Sequence, residues 1–444
     1  MTTAATTEQP GRGPVTADAG PPSQAPASEL TGAEPPAPTD RRYHPGHTTF
    51  PGLDGLRALA VLAVVTTHSA FWTGRYERGW GNNALTRLDS GVAVFFVLSG
   101  FLLVRPWLVS AHARSEAPSV RVYAVRRVAR IMPAYLVAVV LAMTLLSDNR
   151  TATWGDWVRH LFLLQIYHFG WMRGGLTQTW SLCTEAAFYV VLPVLGWVLM
   201  RAMRRRWRPG LLVGALLLLV AAPLPWYLFL YNVRGSFWVS AGLWLPGFVG
   251  WFAGGMIMAV IRVHLDHGEV PSTSRWWLAE ELGRHPFTCW AVAAVTFFAA
   301  LAPIAGPRSL VASTIAQSVT KQTLYVLMAV ALTWPAVFGR SPVTEAVLGN
   351  PVMRYAGDIS YGVFLYHLVI LDGVMHLLGN AMWTGRVVEV LPLTLAGSGL
   401  VAALSFRFLE RPLIRRAHRV RGRRPAPAAP AGTGDDAAVA ATTG

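Results

Sequence analysis

Lysine is nearly missing from this chain: of 38 basic residues, only Lys321 is not arginine. Charge of either sign is scarce, at 14% of residues, where soluble domains carry about 25%. The two cysteines, Cys183 and Cys289, both sit inside apolar runs, so no disulfide framework is implied. Walker loops, G-x-G-x-x-G turns, C-x-x-C pairs and H-E-x-x-H are missing. Nucleotide-loop, dinucleotide and zinc-protease chemistries are therefore set aside, and no metal or bound cofactor is expected. The first residues lack the basic start and apolar core of a secretory leader, so no cleavage is expected. No internal repeat is visible.

Apolar surface is abundant. Hydrophobic residues make up 53% of the 444 residues, with 18 Trp and 19 Phe. An ordinary soluble enzyme, a coiled coil and a disordered chain are all excluded. The net charge of +15 would suit nucleic acid. Here the arginines lie in short loops between apolar runs, which is the pattern of membrane topology, and no nucleic-acid partner is expected.

A spanning helix needs about 20 mostly apolar residues. Ten such runs are read, at roughly 55–73, 89–109, 131–147, 180–200, 211–231, 237–261, 287–304, 323–339, 358–379 and 388–409. An even number places both termini on one side. With the termini cytoplasmic, 27 basic residues fall inside and 10 outside, with Arg57 in the first helix, as the positive-inside rule prefers. The expectation is an all-α integral membrane protein of the cell membrane with about ten transmembrane helices. Residues 49–416 form the membrane domain. Residues 1–48 and the basic segment 417–444, rich in Ala, Pro, Thr and Gly, are expected to be disordered cytoplasmic tails.

Ionisable groups at membrane depth are costly and point to function. Arg57 and His68 are 11 residues apart on the first helix. That spacing is three turns plus about 20°, so they share a face about 16 Å apart along the axis. Two readings are open for each: His68 as base or packing histidine, Arg57 as ligand clamp or snorkelling anchor. Glu185 lies about five residues into the fourth helix, at the depth estimated for His68. A carboxylate there would fix the histidine tautomer and raise its basicity; the alternative is a structural ion pair. Arg126, Arg127 and Arg130 form a flank before the third span. They suit phosphates, or serve only as positive-inside anchors. His367 sits near mid-membrane, Glu410 and Arg411 read as an interfacial pair, and Cys183 reads as an inert buried thiol.

The residues resemble the membrane acyltransferase 3 family. The likeness rests on Arg-x10-His at Arg57 and His68, FFVLSGFLL at 95–103 and RRVARIMPAY at 126–135. WSLCTEAAFYVVLP at 180–193, GDISYGVFLYH from Gly357 and RFLERP from Arg407 complete it. It covers about 50–416. One position departs: Ala93 stands where many members have an acidic residue before the Phe-Phe pair, and Asp89 is one turn away.

The resemblance implies O-acyl transfer, with acetyl the expected group, from cytoplasmic acyl-CoA (acetyl-CoA) as co-substrate. The acceptor would be a hydroxyl of a carbohydrate, lipid-linked glycan or secondary metabolite. Arg57, Arg126, Arg127 and Arg130 would hold the CoA phosphates. His68 would be the base, oriented by Glu185, or would carry the acyl group. Ser99, Trp180, Ser181, Tyr366 and His367 would support the site. No soluble esterase-type domain is expected after the tenth run, so this chain or a separate partner would complete the acceptor. Two further readings are a secondary transporter or exporter of a small polar substrate, though without an inverted repeat, and a non-catalytic scaffold.

Overall fold

The computed structural model describes residues 50–420 apart from 78–81, 169–171, 234–239, 269, 272, 308–312, 340 and 384–385. The tails expected at 1–48 and beyond residue 420 lie outside the described residues. At the C-terminal end the last helix reaches His418, two residues into the segment expected to be a tail.

The described elements are all helical. In chain order they include α1 (Pro51–Trp72), α2 (Gly91–Ala113), α3 (Val120–Leu145), the short α4 (Trp154–Leu161) and α5 (Trp180–Met203). Then come α6 (Pro209–Ala221) and α7 (Pro223–Asn232), which together make one span, and α8 (Leu245–His267) and α9 (Pro286–Ala299). α10 (Ile315–Phe338), α11 (Pro342–Leu348), α12 (Pro351–Leu377), α13 (Val387–Ser405) and α14 (Arg411–His418) complete the chain.

Among the described residues eight helical segments are long and apolar enough to cross a membrane. Each of the ten apolar runs contains helix among the described residues, but two fall short of that standard on their own. α9 has 14 residues, and α10 joins α11 at a 115° bend. Fourteen residues rise about 21 Å, less than a hydrocarbon core of about 30 Å. The chain is a multi-pass membrane protein. Its lipid-facing surface is apolar, with Val190 77%, Leu218 75% and Val388 82% exposed.

Small residues set how closely the helices approach. α2 and α8 cross backbone to backbone: a Cβ on Gly255 would lie 1.9 Å from the Val97 carbonyl oxygen, and one on Gly100 2.1 Å from that of Phe252. Phe96, Phe252 and Phe188 then stack across α2, α8 and α5 with centroids 4.4 and 4.1 Å apart. α1 and α12 run parallel. Gly357 meets the Asp54 carbonyl near one end, where a Cβ would sit 2.2 Å from the oxygen, and His68 meets His367 farther along.

The connection between α3 and α5 folds inward. Asn149 ties it through Nδ2 to the carbonyls of Ala142 (2.8 Å) and Gly174 (3.0 Å), and accepts from the Gly174 amide. The Gln165 amide donates to the Thr179 hydroxyl at 2.9 Å, and that of Gln178 to the Leu365 carbonyl at 3.0 Å, midway along α12. Gln178 and Thr179 are buried. α5 therefore begins inside the bundle rather than at its surface.

Candidate active site

Two groups of polar side chains inside the bundle gather the candidate residues. The first lines a cavity with about 120 Å³ of room for water-sized occupants, between α1, α2, α3, α5 and α12. Arg57 comes from α1, Arg127 and Arg130 from α3, Glu185 and Tyr189 from α5, and Ser99 from α2. The local reasons are helical. Asp54 is three residues before Arg57 and pairs with it on one face. Arg127 and Arg130 are one turn apart and face the same cavity. Tyr189 is one turn after Glu185 and hydrogen-bonds to it. The Ser99 hydroxyl donates to the Glu185 carboxylate, which suits a small residue at a close crossing. Arg127 Nε is buried without a hydrogen-bond partner. A cavity lined by three guanidiniums and one carboxylate, with a buried Arg127 donor that has no hydrogen-bond partner, has the chemistry with which anions are held.

The second group is a pair of histidines. His68 Nδ1 lies 2.9 Å from His367 Nε2, and the two rings meet edge to edge with centroids 5.0 Å apart and 26° between planes. His367 is fully buried, and its Nδ1 faces the Phe364 carbonyl at 2.8 Å. Phe364 separates the two groups. Its ring lines the cavity, packs edge-on against Phe95 (6.4 Å) and lies 6.1 Å from the His367 ring.

The expected partnership of His68 with Glu185 is not what the structure contains. Glu185 belongs to the arginine cavity, and the ring partner of His68 is His367. The depth estimate fails because it started α5 at the membrane surface. The inward fold of the α3–α5 connection starts α5 at the level of Leu365, which carries Glu185 a corresponding distance toward the Arg57 end.

The arginine flank also splits. Arg127 and Arg130 line the cavity, while Arg126, 100° round the helix from Arg127, is exposed. Glu410 accepts from the Ser405 hydroxyl at 3.2 Å, and the ion pairs among the described residues do not include one with Arg411.

Of the supporting residues, Ser99 and Ser181 line the cavity, and Ser181 also donates to the Gln178 carbonyl. Trp180 packs on Phe248 with centroids 4.9 Å apart. Tyr366 is buried, with its hydroxyl 3.0 Å from that of Ser405. Ala93 is fully buried. Asp89, one turn away, accepts from the Tyr325 hydroxyl and pairs with Lys321 at 3.5 Å. Asp54, Tyr189, Tyr361 and Phe364 were missed as site residues. The first two carried a signal, since each stands three or four positions from a residue already singled out.

A known family covers most of the chain: the acyltransferase domain family matches residues 50–408. The chain is 26% identical over 387 residues to the Bacillus subtilis (strain 168) protein named "Putative peptidoglycan O-acetyltransferase YrhL", covering 83% of this chain and 55% of that protein. It is 27% identical over 397 residues to Nodulation protein 10 of Rhizobium leguminosarum bv. viciae, covering 82% of this chain and 92% of that protein. The chain thus spans little more than half the length of the first and nearly all of the second. No solved structure matches it.

Proposed function

The chain belongs to the acyltransferase 3 family, and on that premise we propose that it moves an acyl group, acetyl in the first instance, from cytoplasmic acyl-CoA to a hydroxyl of a glycan or secondary metabolite. One observation carries this reading. An arginine-lined cavity and a histidine pair share α1, and the Phe364 ring, packed against Phe95, lines the cavity on one side and lies beside His367 on the other.

The orientation follows from the basic residues, 27 on one side against 10 on the other, with both termini in the cytoplasm of a cell-membrane protein. Arg57, Arg127 and Arg130 then lie toward the cytoplasmic mouth. They hold phosphate oxygens of the donor while its pantetheine arm runs along α1. Glu185 offsets part of the cavity's positive charge and keeps the guanidiniums ordered between ligands.

His68 is the base. It takes the proton of the acceptor hydroxyl as that oxygen attacks the thioester carbonyl. When the carbon–sulfur bond breaks, the departing thiolate takes the proton, leaving an ester and free CoA. A positioned base of this kind contributes about 10² to 10⁴ in rate.

The acceptor is tested by mass spectrometry of cell-wall glycans and secondary metabolites from a deletion strain, with and without the native gene. The expected result is a 42-Da acetyl increment, about the mass of C₂H₂O, lost on deletion and restored by the native gene but not by His68→Ala. Restoration by His68→Ala would overturn the assignment of the base.

A further inference from the structure

The hydrogen bonds of the histidine pair determine which nitrogen of His68 carries its proton. His367 Nδ1 faces the Phe364 carbonyl at 2.8 Å. A carbonyl oxygen only accepts, so His367 Nδ1 bears hydrogen. A neutral imidazole has one N–H, and His367 Nε2 is then an acceptor. The atom facing it at 2.9 Å is His68 Nδ1, which must donate. The proton of His68 is therefore on Nδ1, and its lone pair is on Nε2.

The opposite arrangement needs His367 to be an imidazolium. That would be a cation in a fully buried ring whose partners are a carbonyl and another imidazole, and an uncompensated buried charge is expensive. Asp89 acts on His68 through space, and the backbone of Val64, one turn earlier on α1, hydrogen-bonds the ring as well; the Asp89 carboxylate is committed to Tyr325 and Lys321.

We infer that His367 is the positioning residue of the acyl-transfer base: it holds His68 in the Nδ1–H tautomer and so presents Nε2 as the basic atom. The inference rests on the reading of His68 as the base. Neutral histidine free in water favours the other tautomer, with the proton on Nε2, so the preference has to be imposed. In serine hydrolase triads a buried carboxylate imposes it. Here a neutral imidazole, itself fixed by a backbone carbonyl, does so beside the Val64 backbone contact, and no buried charge is needed. The 26° angle between the ring planes keeps the two rings close to coplanar about that bond, which restrains the same orientation. When His68 accepts a proton at Nε2, its Nδ1–H bond to the His367 lone pair strengthens and steadies the imidazolium. A neutral partner raises basicity less than a carboxylate would, which suits a base that must return its proton to a thiolate.

The test uses the full-length protein in liposomes, labelled with ring-¹⁵N histidine. The His68 signals are identified by their loss in His68→Ala. The expected spectrum at neutral pH shows His68 protonated at Nδ1 and bare at Nε2. In His367→Met the proton moves to Nε2. A native His68 that is Nε2–H or doubly protonated overturns the inference without any reference to activity, and so does a His367→Met variant whose His68 keeps its proton on Nδ1, held by the Val64 backbone.

Transfer is read in parallel as acetylated product formed in the complemented deletion strain at matched protein level. His367→Met should lose about 10²-fold, with the half-saturating acetyl-CoA concentration in isolated membranes unchanged. His367→Gln places an amide oxygen near the lost Nε2 acceptor and should recover to within about tenfold of native. Equal losses in the Met and Gln variants would make the contact mere packing. An inactive His68→Ala beside a fully active His367→Met would overturn the positioning role alone. An active His68→Ala would overturn the base assignment, while the spectrum still reports on the hydrogen bond.

Discussion

The arginine cavity and the histidine pair share α1 but are built on different principles. The cavity gathers formal charges: three guanidiniums, a carboxylate and the Asp54 counter-charge, with a buried donor still free. The pair holds two rings in sequence with a backbone carbonyl, and orientation is its product. Charge binds an anion over a range of geometries, because Coulomb attraction falls slowly with distance. A proton transfer needs one lone pair on one atom within hydrogen-bond reach. The first region should thus tolerate substitution with graded losses, and the second should not.

The largest expected effect is on the pair. His68→Ala should cut transfer by about 10³-fold or more while the protein still inserts. Acetylated product measured from membranes with equal protein checks this, and a loss below tenfold would erase the contrast between the regions. Next is Arg57→Ala. It should raise the half-saturating acetyl-CoA concentration by about 10- to 100-fold, the scale of one lost charge-assisted contact, with a smaller change in kcat. An effect confined to kcat would place Arg57 with the chemistry instead.

Glu185→Gln keeps the shape and the Ser99 contact and removes the charge. It should cost about tenfold. Combined with His68→Ala in a background where residual transfer is measurable, the two losses should add, because the residues share no partner. His68 and His367 variants should not add, since they act as one unit. Strong coupling between His68 and Glu185 would merge the two regions and restore the pairing expected from depth alone.

The smallest effect lies outside the membrane spans, on the connection that starts α5 inside the bundle. Burial alone would raise the Asp156 carboxyl. Hydrogen bonds from the Thr153 amide and hydroxyl and from Arg173 bring it down to about 2. A depressed carboxylate stabilises the fold above its ordinary pKa near 4, and the contribution disappears as pH falls toward 2. Asp156→Asn should therefore destabilise at pH 7 by about 1 kcal/mol or less, given solvent screening. The gap to native in thermal melts should narrow between pH 4 and pH 2. A gap that is constant with pH would mean that the carboxylate charge is not what anchors this connection.

Much of the cavity was legible in the sequence because lipid makes charge conspicuous. Arg57 and Glu185 stand out in apolar surroundings, Arg127 and Arg130 stand in a basic cluster just before the third apolar run, and helical spacing predicts which neighbours share their faces. The errors have local causes. Arg126 was grouped with its neighbours although one residue turns a helix by 100°. Glu185 was placed by counting from a helix start that the loop had moved inward.

What the sequence by itself determined is the solvent each segment occupies: ten apolar runs, a 27:10 division of basic residues, and a few ionisable groups where charge is costly. These follow from transfer free energies, which are properties of single residues and short windows. Only the tertiary structure decided that His68 meets His367, 299 positions away, rather than Glu185. The meeting depends on the close approach at Gly357 that sets α1 against α12, and on a buried loop that shifts α5. A hydrogen bond is decided by a few tenths of an ångström between two atoms, and helix packing supplies that precision where residue periodicity does not.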